Sequence, residues 1–188
     1  MAPRQEGFNV SLPNHRVRMT RDSLDGLPHW TLPEGFSIRW YETGDIQAWL
    51  RIHVVADLFN EFEPGFHQEE FGEDEEILAK RQAFLCDSSD RQIGTASAWF
   101  DESYHGKRYG RLHWVAIEPR YQGRGLSKAL TSAVCRRLVE LGHDRAYLTT
   151  STARIPAINL YLQFGFEPEI RNQEDERAWY EIRDRRRQ

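Results

Sequence analysis

Cysteine is scarce in this chain. Cys86 and Cys135 are the only two in 188 residues, and both fall inside stretches that read as regular elements. Such a pair makes no disulfide framework. The two are read as buried, reduced thiols, which fits a cytoplasmic protein. Long apolar runs are lacking too. No stretch reaches the roughly 18 apolar residues of a membrane-crossing helix, and Met1-Ala-Pro-Arg-Gln-Glu6 lacks the apolar core of a signal peptide. There is no surplus of positive charge. Against 25 Lys and Arg stand 29 Asp and Glu, a net charge of −4, so neither nucleic acid nor a membrane is expected as a partner. Internal repeats and low-complexity segments are absent as well.

What is present is enough for one globular domain with a proper core. Residues 1–35 are the least patterned and are expected to form an N-terminal extension packed on the body. Within them His15–Met19 reads as a short strand, and Leu24–Gly35, with Pro28 and Pro33, as a wrapping loop. The body, residues 36–188, begins with a strand at Phe36–Tyr41. Asp45 then caps a helix whose core face carries Ile46, Trp49, Leu50, His53, Val54 and Leu58. An acidic stretch from Glu61 to Glu76, broken at Pro64-Gly65, reads as a loop and a short helix from about Glu73 to Arg81. It is either a solvated surface or a rim that draws in a cationic substrate. A meander follows: strands at Gln82–Cys86, Gln92–Asp101 and Tyr109–Ile117. The clearest helical period runs from Leu126 to Leu141 and stops at Gly142. A strand at Arg145–Thr150, a helix from Pro156 to Phe164, and closing strands at Phe166–Ile170 and Arg177–Ile182 complete the reading.

The most informative stretch is Val115-Ala-Ile-Glu-Pro-Arg-Tyr-Gln-Gly-Arg-Gly-Leu-Ser127, an apolar strand running through a glycine- and arginine-rich turn into a helix. Backbone N–H groups, the positive end of a helix dipole and guanidinium groups then converge on one spot, which suits phosphate. The dinucleotide pattern fails, because Lys128 stands where its third glycine belongs. The P-loop pattern is absent. Coenzyme A, through its pyrophosphate, is the remaining phosphate ligand, beside a purely structural glycine turn.

With two further features the chain resembles the GNAT superfamily of acetyl-CoA-dependent N-acetyltransferases. Gln122-Gly123-Arg124-Gly125-Leu126-Ser127 is similar to the family's [QR]-x-x-G-x-[GA] turn. Ala157-Ile-Asn-Leu-Tyr161-Leu-Gln-Phe-Gly165-Phe166 is similar to its A-x-x-L-Y-x-x-x-G-F segment. The likeness covers roughly residues 36–183, with Arg154 where the family often has asparagine. It implies an α+β fold with a mixed, mostly antiparallel sheet, helices on both faces, and a cofactor cleft where the family's fourth and fifth strands splay apart.

The resemblance also implies a site. Val115 and Ile117 would offer backbone groups to acetyl-CoA. Residues Gln122, Gly123, Arg124, Gly125, Leu126 and Ser127, with Lys128, would hold its pyrophosphate, and Asn159 would add a contact. Tyr161 would stabilise the departing thiolate. Strand alternation puts His113 on one face with Val115 and Ile117, so His113 is the candidate base, with Glu118 a weaker one. No metal is expected. The acceptor would be a small-molecule or peptide amine, with the acidic stretch pointing to a polycationic one, and a homodimer is left open. The competing readings are acylation of a protein N-terminus or lysine, transfer of a bulkier acyl group, and a non-catalytic acetyl-CoA sensor.

Overall fold

The structure, a computed structural model, describes residues 14–187. Residues 1–13 of the expected extension, and Gln188, lie outside the described residues. In chain order the elements are β1 (Arg16–Arg21), β2 (Ser37–Trp40), α1 (Ile46–Ala56), α2 (Phe66–Phe71), α3 (Glu75–Arg81), β3 (Gln82–Cys86), β4 (Gln92–Tyr104) and β5 (Lys107–Ile117). A 3₁₀ turn at Pro119–Tyr121 follows, then α4 (Leu126–Glu140), β6 (Ala146–Ser151), α5 (Ile155–Gln163), β7 (Glu167–Glu169) and α6 (Gln173–Arg185).

The seven strands form one sheet in the order β2-β3-β4-β5-β6-β1-β7. Each pairing is antiparallel except β5 with β6. On one face α4, α5 and α6 bury Leu130, Val134, Leu138, Ile158, Tyr161 and Trp179 against the sheet. On the other, α1, α2 and α3 close over a smaller aromatic cluster around Trp49, Phe71, Leu78 and Phe84. The mixed sheet with helices on both faces is the expected α+β architecture. Cys86 and Cys135 are both buried and unpaired.

The short strand read at His15–Met19 is present as β1, inside the sheet, paired along its whole length with β6 and also with β7. Three other elements differ from expectation. Arg177–Ile182, read as a closing strand, lies in helix α6. The Asn172 side chain caps that helix by accepting from the amides of Glu174 and Asp175. The stretch after Pro64-Gly65, read as loop, contains α2, anchored by buried His67 and Phe71. On α1 the buried residues are Trp49, Ile52 and His53, while Val54 and Leu58 are exposed by 61% and 87%. The i, i+3, i+4 stripe sits one position away from the expected one, and Leu58 lies past the end of the helix.

Candidate active site

Strand β5 and its neighbours make the site. The β5–β6 pairing holds at only two positions, Gly110 with Ala146 and Arg111 with Tyr147. Beyond them β5 continues to Ile117 and β6 to Ser151 without pairing to each other. The sheet therefore opens between the parallel neighbours β5 and β6, at the strands that correspond to the expected splayed pair.

A bulge accompanies the opening. Thr95 pairs with Ala116 and Ser97 with His113, so two steps along β4 match three along β5. Trp114 absorbs the extra residue at φ 48°, backbone that a bulky residue rarely adopts. The bulge breaks the alternation on which one expectation rested. Leu112 and Ile117 belong to the core on the α4 face, with Val115 packed against it. His113 instead packs against Phe71 of the opposite cluster, ring centroids 5.5 Å apart, and Trp114 also packs there. His113 thus does not share a face with Val115 and Ile117. Two consecutive residues, His113 and Trp114, point to the α1–α2 side.

At the far end of β5 the expected phosphate turn takes shape. Gly123 and Gly125 have φ of 75° and 78°, and a methyl group added at either would meet nothing within 4 Å. The amides of Gly123 to Ser127 donate to no backbone carbonyl among the described residues. Helix α4 starts without a side-chain cap and without an acidic residue in its first turn. Arg124 lies over the Tyr121 ring and Lys128 over Trp30, and among the described residues neither has a carboxylate partner. Gln122 ties the turn to the strand by donating from Nε2 to the Ile117 carbonyl at 2.8 Å. Open amides, a helix start and two unpaired cations fit a pyrophosphate group.

Glu118 has another task. It is 4% exposed and is engaged by Arg51, Arg91 and Arg120. Burial alone would raise its carboxyl pKa, but Arg91 and Arg51 hold it below the usual range. It therefore fastens α1 and the β3–β4 turn to the end of β5 and is no proton acceptor.

Tyr161, from α5, is buried in the core on the α4 face. Burial pushes its phenol up to about 12, partly offset by Arg154. Asn159, one of the expected cofactor contacts, accepts from Arg186 Nε at 2.7 Å and so engages the C-terminal end of α6. Arg154 grips both carboxylate oxygens of Asp57 at 2.6 and 2.8 Å, joining the β6–α5 turn to the end of α1.

The acidic stretch is divided in use. Asp74 caps α3, and Glu75 accepts from Tyr41 and Thr43. Only Glu70 reaches β5. Its Oε2 accepts from His113 Nε2 and from Trp114 Nε1, each at 2.9 Å. Sequence reading singled out none of these acids, since nothing in a run of carboxylates marks the one that faces a strand distant in sequence.

Residues 52–166 match the profile of the Acetyltransferase (GNAT) family. The chain belongs to that family. It is an acyltransferase family whose cofactor is acetyl-CoA. A mycothiol acetyltransferase of Pseudarthrobacter chlorophenolicus is 33% identical over 165 residues, covering 80% of this chain and 48% of that one. One of Thermomonospora curvata is 32% identical over 163 residues, covering 80% and 50%. The chain thus spans about half the length of these curated relatives. The crystal structure of a GCN5-related N-acetyltransferase from Sphaerobacter thermophilus shares the fold, with a TM-score of 0.67 at 19% identity over 83% of this chain and 48% of that one. No described helix is long and apolar enough to cross a membrane.

Proposed function

We propose that this GNAT chain is an N-acetyltransferase that moves an acetyl group from acetyl-CoA to a primary amine of a small molecule, by direct attack with both substrates bound. One arrangement carries the reading: the sheet opens between β5 and β6 with the phosphate turn at the end of β5, Tyr161 on one face and His113 on the other. Acetyl-CoA supplies an activated thioester. The turn amides, Arg124 and Lys128 would bind its pyrophosphate, and the unpaired edge at Val115 and Ile117 would bind its amide-bearing arm. Asn159 would join them on releasing Arg186.

A lysine-like amine with a pKa of about 10.4 is neutral in only about one molecule in 2,500 at pH 7. A proton acceptor near the attacking nitrogen is therefore valuable. Burial lowers the His113 pKa to about 4, with Glu70 opposing, so its imidazole is neutral at physiological pH and has a lone pair to offer. Tyr161, on the other face, stays a phenol and donates a hydrogen bond to the departing sulfur. Acceptor and donor on opposite faces suit an amine that enters from one side while the thiol leaves on the other. The name carried by the curated relatives favours a small-molecule acceptor over a protein one.

The test is a panel of amines, with thiol release followed for the native protein, His113→Ala and Tyr161→Phe. Acetyl-CoA at a hundredfold its Kd should stabilise the fold by about 2.7 kcal/mol, while NAD and ATP do nothing. If acetyl-CoA binds but no amine gives thiol release, the chain is a sensor. If ATP or NAD shifts the melting temperature and acetyl-CoA does not, the cofactor assignment fails.

A further inference from the structure

Glu70 sits on α2, a six-residue helix held down by buried Phe71 and His67. Its side chain is about a third exposed, at 34%, yet one oxygen takes two hydrogen bonds from consecutive residues of β5. Consecutive residues of a regular strand point to opposite faces, so this double contact exists only because the bulge turns Trp114 to the same side as His113. The chemistry of the two donors then fixes a proton. The indole Nε1 of Trp114 is only ever a donor, and an ionised carboxylate only an acceptor. His113 Nε2 must therefore carry the hydrogen that it shares with Glu70, and the imidazole lone pair is left on Nδ1. That nitrogen has no hydrogen-bond partner among the described residues. Phe71, packed on the imidazole, restrains the ring further.

We propose that Glu70 is a positioning residue, which holds His113 in the Nε2–H tautomer and so aims Nδ1 at the acceptor amine. The proposal rests on the reading of His113 as proton acceptor and adds the group that makes it competent. As the nitrogen–acyl bond forms and the carbon–sulfur bond breaks, the electron pair leaves on sulfur and His113 Nδ1 takes the proton from nitrogen. The imidazolium so formed lies against an ionised carboxylate, which stabilises it until the proton passes to solvent. Of the other charged or titratable groups facing the ring, Arg111 on β5 disfavours that imidazolium, and His53 on α1, pushed down to about 3 by burial, stays neutral beside it. Glu70 is the group that opposes Arg111. Hydrogen bonds from His113 and Trp114 keep it ionised, its pKa lowered to about 2, so Glu70 is itself a poor base.

The experiment uses the full chain labelled with ¹⁵N-histidine, and an amine taken from the panel. Nitrogen shifts report the His113 tautomer without any need for turnover. In the native protein His113 should show Nε2–H alone. In Glu70→Ala the Nδ1–H form should appear, kcat should fall about 10- to 100-fold, and the KM for acetyl-CoA should stay within twofold. The acidic limb of the rate profile should move to lower pH, because the carboxylate that favours imidazolium is gone. Glu70→Asp should recover part of the rate, and Glu70→Gln, of the same shape, guards against a folding defect. An unchanged tautomer in Glu70→Ala overturns the positioning role. Full activity in His113→Ala instead overturns the proton-acceptor reading beneath it, whatever the tautomer does.

Discussion

Tyr161 shows how a single side chain's environment narrows its chemistry. A free phenol with a pKa of about 10 is a weaker acid than a thiol of about 8.5. Burial raises Tyr161 to about 12, so handing its proton fully to a thiolate would run uphill by about 5 kcal/mol. In the proposed reaction its contribution would therefore be hydrogen-bond donation to sulfur as the bond breaks. Tyr161→Phe should lower kcat on the order of 10²-fold, the low end for a positioned proton donor, and leave the acetyl-CoA-induced thermal shift unchanged. Loss of that shift together with the rate would instead mean that the hydroxyl serves binding or packing. Because Tyr161 stays neutral at every working pH, its loss should leave the shape of the pH profile as it was. In the proposed reaction His113 and Glu70 would carry that shape. Glu118, also a sequence candidate for the base, shows the reverse case: the arginines around it compensate its negative charge and hold its pKa down, so it takes up a proton poorly.

Among the elements, β5 decides where the site lies, and its local geometry was only half legible in the sequence. The apolar run to Ile117, the glycine turn and the strong period of α4 all follow from residue type at short range, and they appear where expected. The bulge at Trp114 does not. It depends on register with β4, and a tryptophan in left-handed backbone leaves no compositional mark. The assignment of His113 to the face of Val115 failed for that reason alone. Helix α6 was missed differently: Ala178, Tyr180 and Ile182 alternate as on a strand face, whereas the buried set Ala178, Trp179 and Ile182 has helical spacing, and the Asn172 cap starts that helix. The partner strand does carry a trace of the distortion in Gly94. A Cβ there would come within 3.0 Å of both the Ala116 carbonyl and Ile117 Cγ1. Gly94→Ala should cost about 1–3 kcal/mol as overpacking, seen as a lower urea midpoint with an unchanged slope. It should also weaken acetyl-CoA, since the atoms displaced belong to the strand that borders the opening. A Gly94→Ala protein of native stability would mean that the β4–β5 contact yields freely.

For the whole molecule the common thread is a set of histidines stored neutral beneath α1 and α2. Burial pushes His53 down to about 3 and His113 to about 4, and lowers His67 as well. In the unfolded chain each returns to about 6.5. Below that value the unfolded state binds protons that the folded state refuses, so stability must fall as pH falls. The loss begins near pH 6.5 and runs down through the folded values of about 4 and 3. Above pH 6.5 both states are neutral at these positions and the stabilisation is fully present. Glu70 extends the loss to lower pH. Its folded pKa of about 2 lies below an unfolded value of about 4.3, so its share disappears as pH drops through that window. By pH 5.5 His53 and His113 should each have removed on the order of 1 kcal/mol, so urea unfolding at pH 7.5 and 5.5 should differ by about 2 kcal/mol or more. His53→Phe preserves a ring against Trp49, which His53 contacts at 4.0 Å between centroids, and removes one proton site. That variant should lose less stability than the native protein over the same interval. Equal stability of the native protein at both pH values would mean that the α1–α2 side admits water and protons freely, and His113 would then not be the neutral acceptor that acetyl transfer at physiological pH requires.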